Sequence, residues 1–184
     1  MFHPASFITT LLIVSNLLAP ALQPINPPGG QRGTDLQISL HDDNIANFQE
    51  LITYQPGLSL TDLKVDEKDP KHATATLHIA PDAALGEHSF RIRTAYDISY
   101  VRSFWVGPFK TLEETEPNNT FDQVQRIELN TTVQGIITPE DEDSYLVSLK
   151  KGQRLSVEAE AMRLGRILFG QRLSVEAEAM RLGR

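Results

Sequence analysis

The 184-residue chain contains no cysteine, a single tryptophan and few other aromatic residues, with eight phenylalanines and four tyrosines. The absence of cysteine excludes disulfides, thiolate metal sites and a cysteine nucleophile. Basic residues are also outnumbered, because 17 Lys and Arg face 24 Asp and Glu and leave a net charge of −7. Nucleic-acid binding needs clustered Lys and Arg, so we expect no nucleic-acid partner. The fold must therefore be held by an apolar core or by a bound metal ion.

Catalytic motifs are missing as well. The sequence has no HExxH and no GxSxG, and no two histidines have metal-ligand spacing within one element. His78 and His88 could meet across strands, although we expect both to be neutral surface residues. Asp42 and Asp43 are adjacent, so on a strand they would point to opposite faces and could not act as a hydrolytic pair. We therefore predict that the chain is not an enzyme.

The longest apolar run lies at the start of the chain. Residues 7–18 are mostly apolar and are followed by Ala19-Pro20-Ala21, which is typical of a signal peptide over residues 1–21 that enters the membrane as a helix. The run is shorter than the roughly 20 apolar residues that span a bilayer. Only His3, and no Lys or Arg, precedes it, so an uncleaved anchor and a buried N-terminal helix remain alternatives. We expect a secreted, periplasmic or cell-surface protein without a transmembrane span after signal removal.

Residues 24–108 consist of short runs in which apolar and polar residues alternate, separated by turn signals. Such alternation is typical of half-buried strands. The predicted strands cover residues 36–40, 49–54, 58–65, 73–79, 88–94 and 100–106. Six short strands within one small segment indicate an immunoglobulin-like β-sandwich. The fold class that we predict for the whole chain is all-β.

The aromatic residues of this region have two interpretations. Tyr96, Tyr100, Phe104 and Trp105 could form an exposed binding face, or they could fill the core of the sandwich. We expect the core, with Phe104 and Trp105 on opposite faces of their strand.

Residues 113–184 form the second predicted module. A helical turn is expected at residues 119–125, and strands at 132–137, 145–149 and 155–161. The last of these segments is rich in helix-forming residues, but its apolar and polar residues alternate strictly. We follow the alternation and predict a strand. Residues 152–166 recur without a change at 170–184, which indicates a recent duplication or a sequence artefact. We expect the chain to end inside what is normally a longer domain.

Acidic residues dominate the start of this module, where Arg126 is the only base between residues 111 and 145. Ca²⁺ binds six to eight hard oxygen ligands, which carboxylates and amides supply. The candidate ligands are Glu114, Glu116, Asn118, Asp141 and Asp143. The first three would share one side of an extended segment, and the last two one side of another, because side chains alternate along a strand. The alternative is a solvated acidic linker and an acidic turn.

A family resemblance covers residues 114–166. It is carried by Glu116-Pro117-Asn118-Asn119-Thr120, by Gly135, by residues 141–145 and by Lys151-Gly152-Gln153. This segment resembles the first part of a bacterial pre-peptidase C-terminal (PPC) domain. The resemblance implies a partial PPC-like jelly-roll sandwich that is not itself catalytic and that accompanies secreted peptidases or other large exported proteins. The later half of the family pattern is absent, and the repeat stands in its place.

Residues 24–34, 80–88 and 104–109 are similar to the immunoglobulin-like units that precede PPC domains. Relatives of the PPC fold in bacterial collagenases bind calcium through an E-x-E-x-N-[ND] motif, which adds Asn119 to the candidate ligands. The expected role is therefore structural, adhesive or that of a spacer. The expected partners are other domains of a larger extracellular protein or a cell-surface polymer. A fragment of a secreted peptidase without its catalytic domain and a polysaccharide-binding module are the alternatives.

Overall fold

The computed structural model describes residues 22–135 and 142–159, and within them the chain is built almost entirely of strands. The first seven strands are β1 (Gly29–Gln31), β2 (Asp35–His41), β3 (Phe48–Thr53), β4 (Leu58–Val65), β5 (His72–Ile79), β6 (Gly86–Thr94) and β7 (Arg102–Gly107). The helical content of the described residues is one 3-10 turn, Ile45–Asn47. The predicted all-β fold class is confirmed, and each of the six predicted strands before residue 108 has its counterpart.

These seven strands form two sheets, one in the order β1-β7-β6-β3 and the other in the order β2-β5-β4. This is the strand order of an immunoglobulin-like sandwich, in which sheets of the CFG and BED type face each other. β1 runs parallel to β7, with Gly29 opposite Trp105 and Gln31 opposite Gly107. All other pairs in the two sheets are antiparallel.

The core lies between the two sheets and follows the two-residue period of the strands. On β5 the alternate residues Ala73, Ala75, Leu77 and Ile79 are buried, and Phe104 on β7 is fully buried. Each large apolar side chain that is removed from water in this way contributes roughly 1.5–3 kcal/mol. The polar residues between them occupy the outer faces.

The aromatic prediction is only partly right. Phe104 fills the core, and Trp105 lies on the opposite face and is half-buried, as expected. Tyr96 and Tyr100 are 70% and 55% exposed, so their assignment to the core is wrong. The reason is that β7 begins at Arg102, which leaves both tyrosines in the connection after β6.

His88 is also placed differently from the expectation of a surface residue, because it is 1% exposed. It shares the inner face of β6 with Phe90 and Ile92. Its Nε2 lies 2.7 Å from the carbonyl oxygen of Ala84, which satisfies one ring nitrogen. His78 belongs to the other sheet, so the two histidines do not meet across neighbouring strands.

Four short strands follow the sandwich: β8 (Lys110–Glu113), β9 (Gln125–Ile127), β10 (Thr131–Gln134) and β11 (Tyr145–Val147). They form two parallel two-stranded ribbons, β8 with β10 and β9 with β11. The predicted strands at 132–137 and 145–149 correspond to β10 and β11, as far as their residues are described. The division of the chain into modules at 24–108 and 113–184 stays a prediction.

Two local predictions in this part are wrong. The helical turn expected at residues 119–125 is not formed, because residues 120–123 make a reverse turn, in which the Gln123 N–H donates to the Thr120 carbonyl, and Gln125 begins β9. Residues 153–159 have no regular structure, so the strand expected at 155–161 is not seen in its described portion. Alternation can form a strand only beside a partner strand, and no strand in the described residues pairs with this segment.

Several predictions fall outside the described residues. These are the signal peptide at 1–21, Asp141, and the repeat at 170–184. In the part of the chain that the structure describes, no helix has the length and apolar character needed to cross a membrane.

Candidate metal centre

The acidic segment, residues 114–119, directly follows β8. The Glu114 N–H donates to the Gln134 carbonyl at 3.0 Å and so extends the β8–β10 ribbon by one residue. The Glu116 carboxylate then accepts a hydrogen bond from the Asn118 N–H, with Oε2 and N 2.9 Å apart. These two bonds fix the backbone between the two glutamates and hold the Glu116 side chain back against its own chain.

A second segment, residues 142–145, lies beside the first because of the β9–β11 pairing. The Ser144 N–H donates to the Asn118 carbonyl at 3.1 Å, and the Gln125 N–H donates to the Ser144 carbonyl at 3.2 Å. The backbone of Asn118, which belongs to the acidic segment, therefore contacts the second segment directly. Asp143, which precedes Ser144, is brought to the acidic segment in this way.

The result is a cluster of three carboxylates, which we call the acidic cluster: Glu114, Glu116 and Asp143. One oxygen from each of them lies within 4.8 Å of the others. Glu114 and Asp143 are half-buried, whereas Glu116 is exposed. Three negative charges at this separation repel one another, and a cation placed between them would reverse the sign of the local interaction.

Tyr145 packs against the cluster. Its hydroxyl donates to Oε2 of Glu114 at 3.2 Å. Burial raises the pKa of the Tyr145 phenol far above its ordinary value, and the neighbouring charges of Asp143 and Glu114 raise it further. The phenol therefore remains a neutral donor and fixes the orientation of the Glu114 carboxylate.

Asn118 is the unusual polar residue of this region. It is fully buried, and neither Oδ1 nor Nδ2 of its side chain has a hydrogen-bond partner. A buried amide without partners costs about 1–3 kcal/mol, so native proteins rarely retain one without a reason. The backbone N–H of Asn118 bonds the Glu116 carboxylate, so a cation held by the acidic cluster is a candidate partner for Oδ1.

Gly135 borders the cluster from the β10 side. A Cβ atom at this position would lie 2.7 Å from Cδ of Glu114, which is closer than real Cβ contacts come. A side chain at this position would therefore displace the Glu114 carboxylate from its place in the cluster. Sequence reasoning assigned no role in the site to Gly135 or Tyr145. Both residues are among those that carry the PPC resemblance, and this was the one signal that pointed to them.

The three other predicted ligands differ in placement. Asn118 lies buried beside the cluster, Asn119 is exposed, and Asp141 is outside the described residues. The structure therefore brings together one carboxylate of the second segment with two of the first. It also adds a buried amide whose oxygen is available.

The donor atoms of this centre are all oxygens. Carboxylate, amide and carbonyl oxygens suit hard cations, whereas zinc and copper sites are usually built with imidazole or thiolate ligands. The acidic cluster can hold a metal ion, and its chemistry favours a hard one.

A search of protein-family models finds none that matches the chain, and no curated protein matches it. The resemblance to PPC domains therefore rests on the motif residues alone and stays a prediction.

A second constellation of polar residues lies on the outer face of the β2-β5-β4 sheet. Nδ1 of His78 lies 2.7 Å from Oδ1 of Asp35, and Nε2 lies 2.7 Å from Oγ1 of Thr61. This has the connectivity of a hydrolase triad, but the Asp35 side chain is 68% exposed. Solvent screens such a carboxylate, so it gives an imidazolium little of the support that a buried aspartate gives. The Thr61 hydroxyl also contacts Asp62 at 3.1 Å, which indicates a hydrogen-bond chain that joins the three strands.

Proposed function

We propose that the chain is a non-catalytic, exported β-module that serves as a structural, adhesive or spacer part of a larger extracellular protein, and that Ca²⁺ stabilises its C-terminal part. The observation that carries the calcium assignment is the convergence of three carboxylates beside the buried Asn118 amide. The E-x-E-x-N-[ND] motif at residues 114–119, and its resemblance to the calcium motif of PPC relatives, support the same ion.

The dimensions of the cluster also support calcium. Ca²⁺–oxygen distances are about 2.3–2.6 Å, so ligands on opposite sides of the ion lie roughly 4.6–5.2 Å apart. Oxygens within 4.8 Å of one another can surround such an ion with little rearrangement. Mg²⁺ needs ligands at about 2.0–2.1 Å in a near-octahedral array, which is a stricter demand than that of the flexible Ca²⁺ coordination shell.

Calcium would act by joining the two chain segments of the site. Glu114 and Glu116 follow β8, whereas Asp143 precedes β11. One ion bound to all three would connect the β8–β10 ribbon to the β9–β11 ribbon. The role in this proposal is therefore mechanical, and no bond is made or broken.

Thermal unfolding of the full chain in EDTA and in rising Ca²⁺ tests the proposal. At a Ca²⁺ concentration of 100 times Kd, binding stabilises the folded state by about 2.7 kcal/mol, which is a shift of several degrees in Tm for a small module. Glu116→Gln is expected to weaken this response. Asp122→Asn, an exposed acid of the same region outside the cluster, is the matched control and is expected to keep the response. A Tm that is the same with EDTA and with millimolar Ca²⁺ would contradict the proposal.

Export is tested separately, because it is supported by other residues than the calcium proposal. These are the apolar run at residues 7–18 and the small residues at 19–21. Expression of the full chain in a bacterium, followed by mass spectrometry of the secreted and periplasmic fractions, is expected to find a product that lacks residues 1–21. A product that retains Met1 and stays in the cytoplasm would contradict export. It would leave the calcium proposal intact.

Polysaccharide binding is the second candidate function, and exposed tyrosines favour it. Tyr54, Tyr96 and Tyr100 are 59%, 70% and 55% exposed. Arg91 donates to the Tyr54 hydroxyl at 2.8 Å and to the carbonyl of Ser99 at 2.7 Å, which links the first of these rings to the loop of the other two. Exposed rings beside fixed polar groups are suited to sugars, since one face is apolar and the tip is polar.

A pull-down on insoluble glycans tests this candidate. Binding that is lost in Tyr54→Ala and Tyr100→Ala would support it. Binding should persist in Phe121→Ala, which removes a 73% exposed ring outside this surface. Absence of retention on cellulose, chitin and peptidoglycan alike would count against it.

A further inference from the structure

Two histidines face each other on the outer surface of the sandwich, away from the acidic cluster. His41 ends β2, His72 begins β5, and the two are direct partners in the β2–β5 ladder. Both are half-buried, and they lie on the face opposite to the buried Ala73 and Leu40. Sequence reasoning considered ligand spacing within single elements and one pair across strands, His78 with His88. It missed the pair of His41 and His72, which only the register brings together.

The hydrogen-bond pattern of the ladder shows how close the two histidines are. The Asp42 N–H donates to the Lys71 carbonyl at 2.9 Å, and the Ile79 N–H donates to the Thr34 carbonyl at 3.0 Å. These are hydrogen-bonded pairs, and in an antiparallel ladder they alternate with non-hydrogen-bonded pairs.

His41 and His72 therefore form a non-hydrogen-bonded pair. In such a pair the Cα atoms are only about 4.5 Å apart, and the side chains lie closer together than in a hydrogen-bonded pair. Two imidazoles that leave one face at this spacing can reach one ion with nitrogen–metal distances of about 2.0–2.1 Å.

The surroundings of the pair suit a cation. Oδ2 of Asp66 lies 3.9 Å from Nδ1 of His72, and the Asp66 N–H donates to the His72 carbonyl at 2.9 Å, which holds this carboxylate beside the ring. At 3.9 Å this is an ion-pair distance rather than a hydrogen bond, so the carboxylate places negative charge beside the ring, where it would attract a cation. The nearby ammonium of Lys71 is paired with Asp43 at 2.8 Å, so its charge is locally compensated.

We propose that the cross-strand pair His41 and His72 is a bidentate site for a borderline divalent transition-metal ion of the Zn²⁺ class, with Asp66 as the supporting carboxylate. Imidazole ligands suit this class of ion, whereas Ca²⁺ prefers oxygen. The chain thus carries two metal sites of different chemistry, and the histidine site joins β2 to β5 at one end of the sandwich. Because the second imidazole binds intramolecularly, the pair holds the ion roughly 10²-fold more tightly than one histidine alone.

Zn²⁺ titration by calorimetry tests the proposal. The full chain carries His3→Ala to remove the histidine outside the described residues, and millimolar Ca²⁺ is present to saturate the acidic cluster. We expect one Zn²⁺ per chain. His41→Ala and His72→Ala are each expected to lower the affinity about 10²-fold. His78→Ala is the matched control on the same face of β5, where His78 is engaged with Asp35 rather than with a histidine.

Two further measurements keep the test decisive. His41→Gln and His72→Gln preserve polarity and approximate length, and they are expected to show the same loss if an alanine variant fails to fold. In long-range ¹H–¹⁵N spectra, Zn²⁺ is expected to shift the imidazole resonances of His41 and His72 and to leave those of His88 in place. Zn²⁺ affinity that is unchanged in the His41 and His72 variants, or lowered equally by His78→Ala, would overturn the proposal.

Discussion

The contact between Gly135 and Glu114 allows a sharp test of the candidate metal centre that needs no metal. In Gly135→Ala the new methyl group would lie 2.7 Å from Cδ of Glu114, where ordinary carbon–carbon contacts are roughly 3.5–4 Å. The carboxylate must therefore retreat by about 1 Å, away from the position in which it meets Glu116, Asp143 and the Tyr145 hydroxyl. Because the displaced atoms are the end of a flexible, half-buried side chain, the cost is mainly that of the lost hydrogen bond from Tyr145, about 0.5–1.5 kcal/mol.

The cost should disappear when the carboxylate is absent. In a Glu114→Ala background, the methyl of Gly135→Ala meets no carboxylate, so its effect on the free energy of unfolding should fall to a few tenths of a kcal/mol. The two substitutions are therefore expected to be coupled by about 0.5–1.5 kcal/mol in a double-mutant cycle. Urea unfolding of the four proteins in EDTA measures this coupling, and EDTA keeps metal binding out of the result.

Gly107→Ala provides the control for the loss of a glycine as such. Its Cβ would meet Thr132 Oγ1 at 3.6 Å, which is ordinary contact, so a small effect is expected in either background. A coupling near zero, with Gly135→Ala equally harmful with and without Glu114, would refute the proposed geometry. In Ca²⁺, Gly135→Ala should also weaken ion binding, whereas Gly107→Ala should not.

Three further predictions concern other residues. Phe104→Ala should lower the free energy of unfolding of the sandwich by about 3–5 kcal/mol, whereas Phe109→Ala, at a 39% exposed ring, should cost far less; urea unfolding compares them. Burial raises the pKa of Asp42, so the folded state binds this proton more tightly than the unfolded state, and stability should fall as pH rises from the unfolded pKa of about 3.9 through the folded pKa. Asp42→Asn should flatten that decline in Tm. The raised pKa of Tyr145 predicts that one phenol resists ionisation in an alkaline ultraviolet titration, and Tyr145→Phe should remove that resistant fraction and weaken the hold on Glu114.

Most of the sandwich could be predicted because its strands are locally encoded. β5 alternates strictly between core and surface, and that period alone assigns Ala73, Ala75 and Leu77 to one face. The burial of His88 could have been predicted in the same way, because His88 lies two residues before Phe90 and therefore shares its face of β6. The prediction of a surface residue gave more weight to the polarity of His88 than to its position in the alternation. In the structure Nε2 lies 2.7 Å from the Ala84 carbonyl oxygen, whereas Nδ1 is buried without a partner.

The placement of Tyr96 and Tyr100 could not be predicted in the same way. Whether a tyrosine near the end of a strand faces the core depends on where the hairpin turns, and that point is set by pairing with the neighbouring strand. The register also decides which residues of distant segments meet. It creates the His41–His72 pair and the Asp35–His78 contact, and neither is visible in the spacing along the chain.

For the acidic cluster, only the part of the geometry that lies within one segment could be predicted from the sequence. The spacing of Glu114 and Glu116 follows from the two-residue period of extended chain. That Asp143 comes close to them depends on the parallel pairing of β9 with β11, which is a non-local contact. The burial of Asn118 is likewise a tertiary result, because it arises where the backbone of Ser144 closes over the acidic segment.

The short strands of this part explain why a metal ion would matter to it. β9 and β11 pair over only three residues, Gln125–Ile127 with Tyr145–Val147, and all but Arg126 of these are half-buried rather than buried. A two-stranded ribbon of this size is marginal in water, and the acidic cluster adds charge repulsion where the two ribbons meet. Burying Asn118 without side-chain partners adds a further cost. One bound cation would reverse the repulsion, give the amide oxygen a partner and hold β11 against the acidic segment. Folding of this part and calcium binding are therefore expected to be thermodynamically linked, while the sandwich before it is held by its own core.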